Sequence, residues 1–449
     1  MFANILFLIL VLLLINTVPD FSHSRIDSPF LAFSLSVGIY ILLCLAIFLQ
    51  GYALKYLLRR RSNSLSILIN LELILYLLVY QYILDAGRIF RSVPYMQHFQ
   101  ILNAGWELLL YFGGLIVFYA ATFPRYYRAE TRLTFAIRQT RLLIPFVIPF
   151  LFITLALDIM NLLLESHQAS ASLIEWVSLG FSLILMAILL VFLPFFIQAI
   201  WKCHALPEGH LKERLNKICE KAGFTHAGMK TWSIMHDQLT AGIVGVVPSF
   251  RYVMFTDRLL RELPAESIEA ILAHEIGHNA RRHLWIYPFI LMGMIVAAGL
   301  FFYGIGDPLT AFLVRQNALY PSFAWDFIHP AIIFSLYAGI IALYFRYVFG
   351  FFSRLFERQA DLHVFELGLP PEDMIHALRA VAYSSGGYET PNWHHFSIKE
   401  RVEFLEDCKI DPSLIQKHHR KVKLLVWIYF IGLFTSSLFL MYMAQSSST

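Results

Sequence analysis

The chain has 449 residues, 58% of them hydrophobic and 15% charged, with a mean hydropathy of +0.62. Soluble domains carry about a quarter charged residues, so a wholly soluble protein is excluded. The net charge of +4 is small and the basic residues flank apolar runs instead of forming a stripe with interleaved aromatics, which leaves no nucleic-acid surface among the expected partners.

A helix needs about 20 apolar residues to cross hydrocarbon. Runs of that kind lie at 2–18, 31–57, 65–86, 101–123, 142–164, 173–201, 284–305, 331–352 and 424–443. The first has no positive residue before it and no clear small-residue cleavage site, so it reads as a retained signal anchor. Short cytoplasmic loops are enriched in Lys and Arg. Arg59, Arg60 and Arg61 follow the second run, and Arg125, Arg128, Arg132, Arg138 and Arg141 follow the fourth, whereas the alternate loops carry only Arg25, then Arg88 and Arg91, then none, then Arg315. The expected orientation has the N-terminus and the polar stretches 202–283 and 353–423 in the cytoplasm, and the C-terminus outside. The organisation expected is an N-terminal membrane domain of about six spans at 1–201, a polar portion at 202–283, a two-span hairpin at 284–352, a second polar portion at 353–423, and a last span with a tail at 424–449.

Glu72, Glu107, Asp158 and Arg346 fall inside apolar runs. Exposing such groups to lipid costs about 2.5–3.5 kcal/mol on insertion scales, so they read as hydrogen-bonded between helices, with a wet substrate chamber as the alternative.

The first polar stretch opens on an amphipathic helix from Leu211 to Ala222, stopped by Gly223. Residues Met229 to His236, Thr240 to Val247 and Phe250 to Phe255 are short β-branched or aromatic runs and predict a small antiparallel sheet. Thr256 and Asp257 are expected to cap a helix from Asp257 to Glu262, and Pro264 with Glu266 marks the start of the next. That next helix carries His274-Glu275-Ile276-Gly277-His278, an H-E-x-x-H pattern, and ends near Arg281-Arg282-His283. Residues four apart share a helix face, so His274 and His278 can turn their rings to one zinc ion. Glu275 lies roughly 100° round from His274, within reach of a metal-bound water without being a ligand.

The four cysteines, Cys44, Cys203, Cys219 and Cys408, are far apart, so one zinc per chain must use His and carboxylate. After the eighth run comes Ser353-Arg354-Leu355-Phe356-Glu357-Arg358-Gln359-Ala360-Asp361, a helix expected to continue out of the membrane. The preceding hairpin returns the chain to the face it left, which makes Glu357 the third ligand. Asp361 shares its face and can accept the distal N–H of a ligand histidine. His283, His363 and His376 read as solvated or capping residues, His283 being five positions from His278 and off its face.

HEIGH followed by SRLFERQAD resembles the paired signature of the integral-membrane gluzincin peptidases that include HtpX and the type I CAAX prenyl proteases, over about residues 210–407. The resemblance implies zinc on His274, His278 and Glu357, Glu275 as base and Asp361 behind the ligands. It also implies that His395, in the run His395-Phe396-Ser397-Ile398-Lys399-Glu400-Arg401, stabilises an oxyanion, with an arginine six residues later; Phe396 stands where the family usually has Pro. Thr240-Ala241 replaces the family's common Asn-Ala at the substrate edge, where a substrate strand would add to Thr240–Val247.

The fold class expected is therefore mainly α: a polytopic membrane helical bundle with a zincin-like α+β metallopeptidase domain on the cytoplasmic face. The expected activity is hydrolysis of peptide bonds in membrane-associated or misfolded proteins, with the bilayer and protein or peptide substrates as partners. CAAX-type processing is the alternative within that class, and a transporter or channel with a zinc-stabilised cytoplasmic domain the alternative outside it.

Overall fold

The computed structural model describes residues 2–16, 26–53, 62–123, 131–166, 170–232, 234, 238–319, 325–390 and 395–447. Arg25, Arg59–Arg61, Arg125, Arg128, and Ser233, Met235 and His236 of the expected first strand lie outside them. Two compact units emerge, Met1–Ile200 with Val314–Phe334, and Trp201–Leu313 with Ser335–Thr449.

The first unit is helical: α1 (Phe2–Ile15), α2 (Pro29–Tyr52), α3 (Ser62–Leu78) continuing as a π turn, the short α4 (Arg88–Ser92), α5 (Gln100–Ala121), α6 (Arg132–Arg141), α7 (Ile144–Ser166) and α8 (Ala171–Ile200). Among the described residues of the whole chain, eight helices are long and apolar enough to cross a membrane. The described part of the first apolar run is not one of them: α1 has 14 residues, about 21 Å of helix against roughly 30 Å of hydrocarbon.

Glu107 on α5 is fully buried, and its two carboxylate oxygens accept hydrogen bonds from Gln81 Nε2 at 2.8 Å and Asn103 Nδ2 at 2.6 Å. Asp158 accepts the backbone N–H of Ile101 at 2.9 Å, satisfying one of the orphan donors at the start of α5. Both carboxylates follow the hydrogen-bonded reading, whereas Glu72 departs from it, its buried Oε2 having no hydrogen-bond partner among the described residues.

The second unit begins with β1 (Cys203–Ala205), α9 (His210–Lys221), β2 (Gly228–Trp232), β3 (Ala241–Val244), β4 (Tyr252–Thr256), α10 (Asp257–Glu262) and α11 (Ala265–Ala280). The chain goes on through α12 (His283–Phe301), α13 (Asp307–Leu319), α14 (Trp325–Tyr344), α15 (Gly350–Asp361), α16 (His363–Glu366), α17 (Pro371–Ser385), α18 (Ile398–Ile410) and α19 (Ser413–Ser447). Helix α9 ends where Gly223 takes a left-handed φ of +60°, a conformation that costs glycine nothing.

The sheet has the order β1-β2-β4-β3 and is mixed, not purely antiparallel as expected. Strand β4 sits between β2 and β3; it forms an antiparallel hairpin with β3 and runs parallel to β2, with Met229 opposite Val253 and Phe255 opposite Thr231. A three-strand antiparallel meander would need β3 in the middle. Here β3 is left at the edge. Thr256 does precede α10, but its Oγ donates to Gln238 O at 2.6 Å instead of capping the helix, tying the segment before β3 to the end of β4.

Helix α11 lies against this sheet and α9, and its Ile268, Leu272 and Ile276 share one core with Leu215, Val253, Phe255, Leu378 and Leu405. The HEIGH helix is thus buried along most of its length, so its polar residues need partners supplied by the fold.

Candidate metal centre

Helices α11 and α15 touch backbone to backbone. A Cβ at Gly277 would lie 3.0 Å from Ala360 Cα, 3.1 Å from Ala360 O and 2.9 Å from His363 Cβ. The small residue between the two histidines therefore sets how near the Glu357 helix can come. That approach brings Glu357 Oε2 to 3.5 Å from His274 Nε2 and Oε1 to 3.4 Å from His278 Nε2, while the two Nε2 atoms are 3.3 Å apart. Atoms each about 2.0–2.1 Å from one tetrahedral ion are roughly 3.3–3.4 Å from one another. The three side chains fit such an ion, and they form a group able to hold a metal among the described residues.

Each histidine is also held from behind. His274 Nδ1 is 2.9 Å from Asp361 Oδ1; a carboxylate only accepts, so Nδ1 carries the proton and Nε2 keeps its lone pair for the centre. Asp361 is itself fixed by Arg401, whose Nε and Nη2 donate to its two oxygens at 2.8 and 2.6 Å. Burial works against charge on His274, yet Asp361 outweighs it and holds the ring more basic than an ordinary histidine.

His278 is oriented by a longer line. Its Nδ1 lies 3.0 Å from His283 Nδ1, His283 Nε2 is 3.0 Å from Gln359 Oε1, Gln359 Nε2 is 3.0 Å from His419 Nδ1, and His419 Nε2 is 3.1 Å from Glu366 Oε1. Glu366 can only accept, so where His419 Nε2 donates to it and Arg281 Nη2, 3.2 Å from that same nitrogen, is spent on Glu366, the protons of neutral rings point one way along the line and His278 Nε2 is left as a lone pair.

This corrects the sequence expectation for His283 and His363, whereas His376 is exposed as expected. His283 is 1% exposed and stacks on Phe356 with ring centroids 4.2 Å apart. On an unbroken helix it would sit roughly 140° from His278, but Arg282 takes a left-handed φ of 59° and ψ of 29°, and the break turns His283 back towards His278. His363 is likewise buried, with Nδ1 2.7 Å from Glu366 Oε2, and His376 Nδ1 is 2.9 Å from Ser267 Oγ. The helix end visible at Arg281-Arg282 was the signal that the five-residue spacing did not obey helix geometry.

Glu275 follows His274 on the buried helix. Burial raises its carboxyl above the ordinary carboxylate range, with His274 and His278 pulling the other way, which makes it a stronger proton acceptor than a solvated glutamate. His395 stands just before α18, whose start is fixed by a capping box: Ser397 Oγ accepts from Glu400 N at 3.2 Å and Glu400 Oε2 accepts from Ser397 N at 2.8 Å. This puts His395 Nδ1 3.1 Å from Glu357 Oε2. Phe396 packs under Arg358, whose guanidinium carbon is 4.1 Å from the ring centroid. All six site residues expected from sequence are thus in one cluster; Arg401, His283, Gln359, His419 and Glu366 join it from outside that set.

The model of peptidase family M48 matches residues 205–409, a span that contains every residue of this cluster except His419. Over this region the chain is similar to the M48 peptidases. CAAX prenyl protease 1 of Saccharomyces cerevisiae is 22% identical over 214 residues, 43% of this chain and 46% of that protein. The CAAX prenyl protease 1 homolog of Dictyostelium discoideum is 24% identical over 185 residues, 39% of this chain and 41% of that protein. The M48 similarity therefore spans less than half the length of these curated relatives. The crystal structure of S. mikatae Ste24p aligns with a TM-score of 0.37 at 14% identity, over 85% of this chain and 99% of that one.

Proposed function

We propose that this multi-pass membrane protein is a zinc metalloendopeptidase that cleaves membrane-associated or misfolded proteins on the cytoplasmic side. The observation that carries the proposal is the convergence of His274 Nε2, His278 Nε2 and the two oxygens of the Glu357 carboxylate, with N–N and N–O contacts of 3.3–3.5 Å, as a group able to hold a metal ion. Zinc bound there would supply a Lewis acid and lower the pKa of water at its open position. Glu275, desolvated beside the first ligand, takes the proton of the attacking water and later returns one to the leaving amine. His395, half-exposed at the rim, donates to the oxygen that gains charge as the carbonyl is attacked. Strand β3, at the sheet edge next to α11, offers backbone donors and acceptors to an extended substrate. Asp361 and Arg401 hold His274; the line through His283 holds His278.

Within this class, both curated relatives carry the name CAAX prenyl protease, which supports CAAX-type processing as a second substrate reading. Terminal-peptide profiling of membranes holding the wild type or Glu275→Gln separates the two: internal cleavages across many proteins fit broad proteolysis, and C-terminal trimming of prenylated proteins fits CAAX processing. In purified protein the Glu275→Gln variant is expected to keep one zinc per chain and to lose about 10⁴-fold in cleavage. Full activity in that variant would remove the mechanism, and the lack of any transition metal in loaded protein would remove the metallopeptidase reading. The transporter alternative draws no support from Glu107 or Asp158, which are hydrogen-bonded, and rests on Glu72 alone, whose buried Oε2 has no partner among the described residues.

A further inference from the structure

Where α12 and α19 begin, the second unit has a cleft of about 420 Å³ whose lining includes none of His274, His278 and Glu357. Its mouth carries Arg282, Arg420 and Lys423, and its wall Ile286, Val426 and Trp427; no carboxylate lines it. The three cations are exposed and make no ion pair among the described residues. The fourth, Arg281, is already committed to Glu366.

The position along the helices decides what such a cleft meets. Helix α19 has 35 residues, about 52 Å of rise against roughly 30 Å of hydrocarbon, so it stands well clear of the bilayer at one end or both. Its cations stop at Lys423, and the apolar run 424–443 begins at once. Helix α12 likewise turns apolar directly after Arg282 and His283. Cations at the edge of two spans, with Trp427 one turn further in, mark headgroup depth. Solvated cations facing water would need no apolar wall beneath them; a partner with a phosphate at one end and a hydrocarbon chain at the other matches both halves of the cleft.

We infer that this cleft binds the headgroup of an anionic membrane phospholipid, with its phosphate between Arg282, Arg420 and Lys423 and an acyl chain along Ile286, Val426 and Trp427. The left-handed residue Arg282, at the turn that holds His283, is itself one of the residues lining the cleft. The inner wall of the cleft includes Gln359 and His419, the outer links of the line that ends on His278.

The test uses the full chain in nanodiscs of phosphatidylcholine with increasing phosphatidylserine, and counts retained lipid by native mass spectrometry. One phosphatidylserine per chain is expected in preference to phosphatidylcholine. The triple variant Arg282→Gln, Arg420→Gln, Lys423→Gln is expected to weaken retention on the order of 100-fold, about 5-fold for each cation removed. Arg420→Lys is expected to retain the lipid, and Arg420→Gln alone serves if the triple variant does not fold. Equal retention of phosphatidylcholine, unchanged affinity in the folded triple or single Gln variant, or displacement of the lipid by millimolar inorganic phosphate would each overturn the proposal. None of these readouts depends on proteolysis.

Discussion

Two buried carboxylates, one in each unit, show how partners decide what a charge is for. Glu107 in the first unit is fully buried, and both its oxygens are taken by neutral amide donors from Gln81 and Asn103. Glu357 in the second unit is also buried, but its oxygens face two imidazole nitrogens that have lone pairs instead of protons. The first arrangement is closed around the carboxylate: each of its oxygens has a donor. The second is open and turns two imidazole nitrogens and a carboxylate toward one another. His395 Nδ1 at 3.1 Å and Arg401 Nη2 at 3.7 Å from Glu357 Oε2 are its only cationic support among the described residues, and a metal ion would fit the remaining space. Burial of an ionisable group in a membrane protein therefore marks function only where the groups around it are electron-rich in the same direction.

Substitutions that exchange these conditions should separate the two regions. The largest effect is expected from Asp361→Asn. It leaves the buried Arg401 without its bidentate partner and frees the His274 tautomer, so stability should fall by about 3–5 kcal/mol in denaturant melts and zinc affinity by 10–100-fold. Stability within 1 kcal/mol of wild type would show that Glu357, whose Oε2 is 3.7 Å from Arg401 Nη2, suffices to hold that charge. Next in size, Gln359→Leu should weaken zinc 10–100-fold in competition with a chromogenic chelator, because it cuts the line that orients His278. If affinity holds, the line is scaffolding and the open character of the site rests on Asp361 alone.

A steric change at the same crossing should cost less. Gly277→Ala pushes a methyl against Ala360 and is expected to lower stability by about 1–3 kcal/mol, with cleavage reduced because Glu357 is moved off the histidines. A thermal melt superimposing on wild type would contradict the close contact. The smallest effect is expected at Glu107→Gln. The side chain keeps its size and its neutral neighbours need only one amide rotated, so stability should change by no more than about 1 kcal/mol, with zinc content untouched. Loss of activity with metal intact in that variant would reopen the idea of a working chamber in the first unit.

Local rules carried the sequence a long way, because they are written in neighbouring residues. Apolar run length gave the membrane spans, the change of period before His274 gave strands, and the four-residue spacing of His274 and His278 gave a shared face. Glu357 was accessible for a topological reason, since two spans return the chain to the side it left. The missing pieces are contacts between residues remote along the chain. Nothing near Arg401 announces that it will neutralise Asp361 40 positions earlier, and nothing near Gln359 ties it to His419 60 positions later.

The sequence by itself thus determined a membrane protein with a His-Glu-His helix and a later acidic helix, because periodicity, hydrophobic length and charge bias act locally. Tertiary structure alone decided the strand order, the 3.3–3.5 Å meeting of His274, His278 and Glu357, and the tautomers that leave their lone pairs facing inward. The physical reason is packing: the small side of Gly277 and the left-handed turn at Arg282 act only once two distant helices are in contact.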